Sequence, residues 1–244
     1  MTTHAPAHAP TTHAADVAAA VPRINVEALF DGMSSKYEAA FSDLQSQYDA
    51  INWVLSEVEP HKPAKIVDVG CGPGKPVLSS FAEAGHDVLG TDLSSGMLEE
   101  AQKNVPGGKF QKVNTLEFNP PDNTFDAVCL MFSLLIDVTQ EHIRKGIANM
   151  YRIVKPGGVL VFGTVAVEGE KVDIIWMGRP INVSSLSPEE VVKTIKKVGF
   201  EVIKNEEMKY FPERAPQVGI CKADEIWPEP LLWVYARKPA APAV

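Results

Sequence analysis

KIVDVGCGPGKPVLSSFAEAGHDVLGTD, residues 65–92, reads as a buried strand, a glycine-rich turn, a helix and a second strand ending in a carboxylate. Ile66, Val67 and Val69 form a short β-branched run, the pattern of a parallel strand covered on both faces. Gly70, Cys71, Gly72, Pro73 and Gly74 then turn the chain where side chains would block a ligand's approach to the backbone. Pro76 stands at a helix start, Leu78, Phe81 and Ala82 supply that helix's buried stripe, and Gly85 ends it. Asp87 to Thr91 forms the next strand. Asp92 follows Gly72 by about twenty residues, the distance at which a Rossmann-type βαβ unit sets an acid against a ribose. An adenosine-containing cofactor is implied.

The dinucleotide fingerprint requires glycine three residues after Gly72, and Lys75 stands there, so an NAD-binding reading fails. The chain has instead G-x-G-x-G preceded by Asp68. This resembles motif I of the class I S-adenosylmethionine-dependent methyltransferases, in their small-molecule branch (type 11/25-like), and the resemblance covers roughly Tyr37 to Lys238. It implies an α/β Rossmann-like fold. The seven-stranded, mostly parallel sheet would run in the order 3-2-1-4-5-7-6, with the last strand antiparallel, helices on both faces and an N-terminal helical lid. It also implies a cofactor site of Asp68, Gly70, Cys71, Gly72, Gly74 and Asp92, with Leu93 and Met97 flanking the adenine. Asn114, with Thr115 and Leu116, stands where the family usually presents an acid to the adenine amino group; its amide oxygen can still accept that bond. Met131, Phe132 and Ser133 follow the fourth strand, where the sulfonium methyl and the acceptor would lie, and they offer little acid or base.

Length and composition suit one α/β domain with decorations. Acids outnumber Lys plus Arg by 31 to 23, a formal charge of −8, which argues against a nucleic-acid partner. Apolar runs of membrane-spanning length and a signal-peptide pattern are lacking, and three scattered cysteines suggest a reducing compartment, so a cytoplasmic location is expected. Residues 1–22 form an Ala/Pro/Thr/His tail whose His4, His8 and His13 have no accompanying ligand set, so no metal is expected. Residues 23–60 read as the lid, 61–238 as the cofactor-binding core and 239–244 as a second tail. In the lid, Met33, Tyr37, Phe41, Leu44, Tyr48, Ile51 and Leu55 make one apolar stripe at helical spacing. By resemblance, Tyr37 is placed near the sulfonium, as a candidate for both cofactor contact and catalysis, and Tyr48 toward the substrate.

Asn119-Pro120-Pro121 mimics the signature of nitrogen-directed methyltransferases. It precedes the fourth strand instead of following it and runs into Asp122, so it reads as a turn. Thr139 caps a helix whose first turn carries His142, a weak candidate base beside the surface reading. Residues 173–182, DIIWMGRPIN, read as a loop at the strands' carboxyl ends, where Trp176 would wall the acceptor and Arg179 meet an anionic or carbonyl group. A second loop, 211–230, carries Arg214, Cys221 and Trp227.

The expected reaction is in-line transfer of a methyl group from S-adenosylmethionine to an oxygen or nitrogen of a small specialised metabolite, leaving S-adenosylhomocysteine. The chain would act as a monomer or homodimer. The alternative is a protein of this fold that binds the cofactor without methylating, as a cyclase-type enzyme or a regulatory module.

Overall fold

A computed structural model describes residues 25–241. The expected tail at 1–22 lies outside them. Strand β1 (Lys65–Val69) carries a nearly continuous buried pattern, as a strand sandwiched between helices must. It pairs in parallel with β2 (Asp87–Asp92) on one side and β4 (Phe125–Met131) on the other. The full sheet runs β3-β2-β1-β4-β5-β9-β8, with β3 at Lys109–Lys112, β5 at Val154–Val165, β8 at Glu201–Tyr210 and β9 at Glu229–Arg237. Only β9 runs antiparallel to its neighbours, β5 and β8. This is the expected order, with β9 and β8 as the seventh and sixth strands of that scheme.

The order reverses between β1 and β4. Such a switch point opens a crevice at the strands' carboxyl ends, because the two adjoining connections leave to opposite faces of the sheet. Two hydrophobic layers cover the sheet. One holds α3 (Gln45–Val58) and α4 (Val77–Glu83) against Ile66, Ala127 and Trp233; the other holds α6 (Gln140–Ile153) and α7 (Pro188–Lys197) against Val67, Val128 and Leu232. Caps are local: Thr139 Oγ1 accepts the His142 N–H, and Ser187 Oγ accepts the Glu190 N–H, with Pro188 at the first helical position.

A third apolar cluster lies over the carboxyl ends. It gathers α1 (Val26–Asp31), α2 (Ser34–Phe41), a hairpin of β6 (Gly169–Trp176) and β7 (Arg179–Ser185), and the segment around α8 (Arg214–Gln217). Residues 173–182 are therefore a hairpin and not a loop. Its turn is Met177-Gly178, both with positive φ (48° and 74°), the two-residue type that suits strand twist. The usual Asn-Gly or Asp-Gly signal is missing, and Gly178-Arg179-Pro180 reads as a loop without it. The apolar stripe of the N-terminal region divides as well. Leu29, Met33 and Ala40 face the third cluster, whereas Leu44, Ile51 and Val54 pack on the sheet.

Candidate cofactor and acceptor site

The glycine turn leaves β1 under tight constraint. Gly70 N–H and Cys71 N–H both donate to Thr91 O at 2.8 Å, tying the turn to the end of β2. Gly70 has φ +79°, and a Cβ there would stand 2.2 Å from Ser133 Cβ, so the loop after β4 rests directly on it. Gly72 has φ +52°, and a Cβ there would meet nothing within 4 Å. The open side of the turn is at Gly72. Gly74 faces away, toward Val105 and Ala101 of α5 (Ser95–Asn104), so its role is close packing of helix on turn. Cys71 is buried, with Sγ directed at Gly90, and burial pushes its thiol well above the usual range. It serves as a small apolar side chain.

Two carboxylates flank the turn. Asp92 Oδ2 accepts from Gly72 N–H and Oδ1 from Ser94 N–H, both at 2.9 Å, which fixes its plane and leaves lone pairs for a ligand's hydroxyls. Burial raises its pKa, against the backbone donors that lower it. Asp68 is 3 % exposed, and among the described residues no hydrogen-bond donor reaches its carboxylate. Burial, and then the neighbouring Asp92, push it up to about 8. A buried acid in this state suits a cationic partner. Ser133 Oγ and Thr91 Oγ1 are likewise buried without a protein partner. An open glycine, an unpaired acid and a carboxylate oriented by two backbone donors together fit the amino-acid and ribose portions of S-adenosylmethionine.

The residues expected at the adenine are less free to bind. Asn114 spends its amide oxygen on the Leu116 N–H at 2.9 Å, Thr115 is half-buried and Leu116 is exposed. Leu93 is half-buried, while Met97 is buried within the domain. Met131 is buried, and Phe132, at φ +58°, crosses the Trp233 ring edge-on at 5.2 Å.

Tyr37, on α2, packs among the side chains of the third cluster. Burial pushes its phenol up, and the charges of Glu229 and Asp92 push the same way. Glu229, at the start of β9, accepts from Trp176 Nε1 at 2.9 Å, and burial raises its pKa above the ordinary glutamate range. Reading the sequence alone overlooked this acid. Its one signal is the placement Trp227-Pro228-Glu229-Pro230 ahead of a strand, which sets a lone carboxylate at the sheet's carboxyl edge. Three residues named from sequence go to structural uses. Tyr48 O–H donates to Ser42 O, Arg179 donates to Met177 O and Ile220 O, and His142 Nδ1 accepts from Thr139 N–H in a capping box. Among the described residues no group of three or more His, Cys, Asp or Glu gathers as a metal site.

Residues 66–158 match the family model described as a methyltransferase domain. Over these residues, fewer than half of the chain, the sequence is similar to methyltransferase domains. More particularly, the chain is 34 % identical over 146 residues to a demethylmenaquinone methyltransferase of Renibacterium salmoninarum, covering 55 % of this chain and 60 % of that one. It thus spans well under two thirds of the length of the curated relatives it matches. Among solved structures, a Burkholderia thailandensis 1,6-didemethyltoxoflavin N1-methyltransferase with bound S-adenosylhomocysteine aligns with a TM-score of 0.58 at 18 % identity, over 97 % of this chain and 93 % of the other. The cyclase SpnF aligns at 0.61 and 20 % identity, over 79 % and 82 %. Both show a shared fold.

Proposed function

We propose that this protein transfers a methyl group from S-adenosylmethionine to a small-molecule acceptor, with S-adenosylhomocysteine as co-product. The observation that supports this reading is the glycine turn open at Gly72, with the Asp92 carboxylate bonded to it and the buried Asp68 on the strand before it. The donor supplies an electrophilic methyl on a sulfonium. The chain's own residues then have three tasks. Asp68 faces the ammonium, in a setting where a charge pair is little screened. Asp92, held by Gly72 and Ser94, orients the ribose. The apolar third cluster excludes water and lines up the acceptor for in-line attack, at a near-attack separation of about 3 Å.

We place the activity in the cytoplasm, with a monomer or homodimer and without a nucleic-acid partner. The net charge of −8 supports the last point. No helix among the described residues is long and apolar enough to cross a membrane. The test is incubation of purified protein with S-adenosylmethionine and a fractionated small-molecule extract, followed by mass spectrometry. Extract-dependent S-adenosylhomocysteine, with a product heavier by one methylene, is the expected result. Conversion of an extract component without S-adenosylhomocysteine would favour a cyclase-type use of the cofactor, the course suggested by the fold shared with SpnF.

A further inference from the structure

Glu229 has a use that the cofactor does not explain. It stands at the first residue of β9, just beyond the carboxyl end of β5, where Ala166 N–H donates to Pro230 O at 3.0 Å and pins the segment. One carboxylate oxygen is held by Trp176 Nε1 from the hairpin. Among the described residues no donor reaches the other oxygen. Glu229 is half-buried, which leaves that oxygen open to a ligand's donor. Across the sheet edge it is paired in register with Tyr210 of β8. Tyr37 belongs to a row of rings: Phe30 meets it edge-on at 6.0 Å, Phe41 is tilted against it at 4.8 Å, and Tyr210 follows Phe41 at 6.2 Å. The Tyr210 hydroxyl is taken up by Asp43 at 2.8 Å, so it does not compete for Glu229. An aromatic row ending at an oriented acid suits a planar ring that carries a proton-bearing heteroatom, since rings prefer edge-to-face or offset contacts with other rings.

We propose that Glu229 takes the proton from the attacking group, and that the acceptor is a hydroxy- or amino-arene laid against the row of Phe30, Tyr37, Phe41 and Tyr210. This rests on the methyl-transfer reading above and gives it a substrate class. As the acceptor's O–H or N–H bond breaks, the proton goes to the free Glu229 oxygen. The acceptor's electron pair forms the new bond to the methyl carbon while the carbon–sulfur bond of the donor breaks with its pair going to sulfur. The protonated carboxyl later returns its proton to solvent. Positioned general bases contribute about 10²–10⁴-fold.

The experiment uses the full chain, a series of para-substituted phenols running from 4-methoxyphenol to 4-nitrophenol, and the matching anilines. Radiolabelled S-adenosylmethionine is the donor, and wild type, Glu229→Gln and Trp176→Phe are compared. Each protein is first titrated with S-adenosylhomocysteine; failure of the wild type to bind would sink the methyl-transfer reading itself. With binding intact in all three, Glu229→Gln should lose about 10²-fold or more on 4-methoxyphenol or the anilines. It should lose little on 4-nitrophenol, which is ionised before it binds, and Trp176→Phe should lose less throughout. Equal losses at every acidity would make Glu229 a positioning residue and overturn the proposal. A wild type that binds S-adenosylhomocysteine yet methylates no phenol or aniline would overturn it too.

Discussion

Gly70 and Gly72 share a left-handed backbone but have opposite surroundings, so the same substitution separates their roles. Gly70→Ala drives a methyl into Ser133 Cβ, and overpacking of this kind costs about 1–3 kcal/mol beyond the backbone strain. Gly72→Ala meets no protein atom, so strain of about 1–2 kcal/mol is its whole stability cost. Its methyl nevertheless occupies the ligand's side of the turn. Thermal melts and S-adenosylhomocysteine titrations should therefore rank the two oppositely: Gly70→Ala the less stable, Gly72→Ala nearly stable but unable to bind. Asp68 adds a pH dependence. Its folded-state pKa of about 8 exceeds the ~3.9 of a free aspartate. The folded chain thus keeps a proton that the unfolded chain releases, and this stabilisation, full below about pH 4, is lost as pH rises through about 8. Without ligand, Asp68→Asn should melt several degrees higher than wild type at pH 8 and converge with it near pH 4. It should also bind S-adenosylhomocysteine at least about tenfold more weakly, having lost the charge that meets the ammonium. Gly72 and Asp92 could be paired from their spacing of about twenty residues, and Asp68 was singled out by the resemblance to motif I. That Gly74 packs on Ala101, and Cys71 under Gly90, is set by neighbours distant in sequence.

The cluster over the strands' carboxyl ends is assembled from separate pieces of chain, and Asp31 is one of the carboxylates that tie it to the core. Asp31 Oδ1 accepts from Ser94 Oγ at 2.5 Å and from Gly96 N–H at 2.9 Å, fastening the end of α1 to the first turn of α5 next to Asp92. Those bonds hold the Asp31 carboxyl below the usual aspartate range. Arg214 Nε to Ala39 O, at 2.9 Å, and Lys36 Nζ to Gly219 O, at 3.1 Å, join α2 to the α8 segment. Asp31→Ala should cost global stability only about 1 kcal/mol, because Ser94 still caps α5. Hydrogen exchange across 26–41 should quicken roughly tenfold, and unchanged exchange there would show that Asp31 does not hold that segment. The helical period of the N-terminal region was readable from its apolar spacing. Its division between the sheet and the third cluster was not, since both halves bury the same residue types. The hairpin hid behind an atypical turn, and Glu229 behind the absence of any motif. Tyr48, Arg179 and His142 show the converse, chemically able side chains spent on carbonyls and caps.

Across the whole molecule, the sheet order followed from the resemblance because a βαβ repeat with right-handed crossovers leaves few alternatives. Next to one edge of that sheet, β9 is aromatic: Trp233 and Tyr235 are fully buried, and Trp233 lies against Gly163 and the Phe132 ring. Trp233→Ala should therefore destabilise by about 3–5 kcal/mol in denaturant unfolding. It should also weaken ligand binding by freeing Phe132 beside the crevice. The central claim is that the crevice between β1 and β4 is a site for S-adenosylmethionine and not for a dinucleotide. Calorimetric titration of S-adenosylhomocysteine into wild type and Asp92→Ala, with NAD as the control ligand, tests it most directly. Micromolar binding by the wild type, lost in a folded Asp92→Ala and absent for NAD, is the result this account predicts. A folded wild type that takes up NAD, or that binds S-adenosylhomocysteine equally well without Asp92, would contradict it.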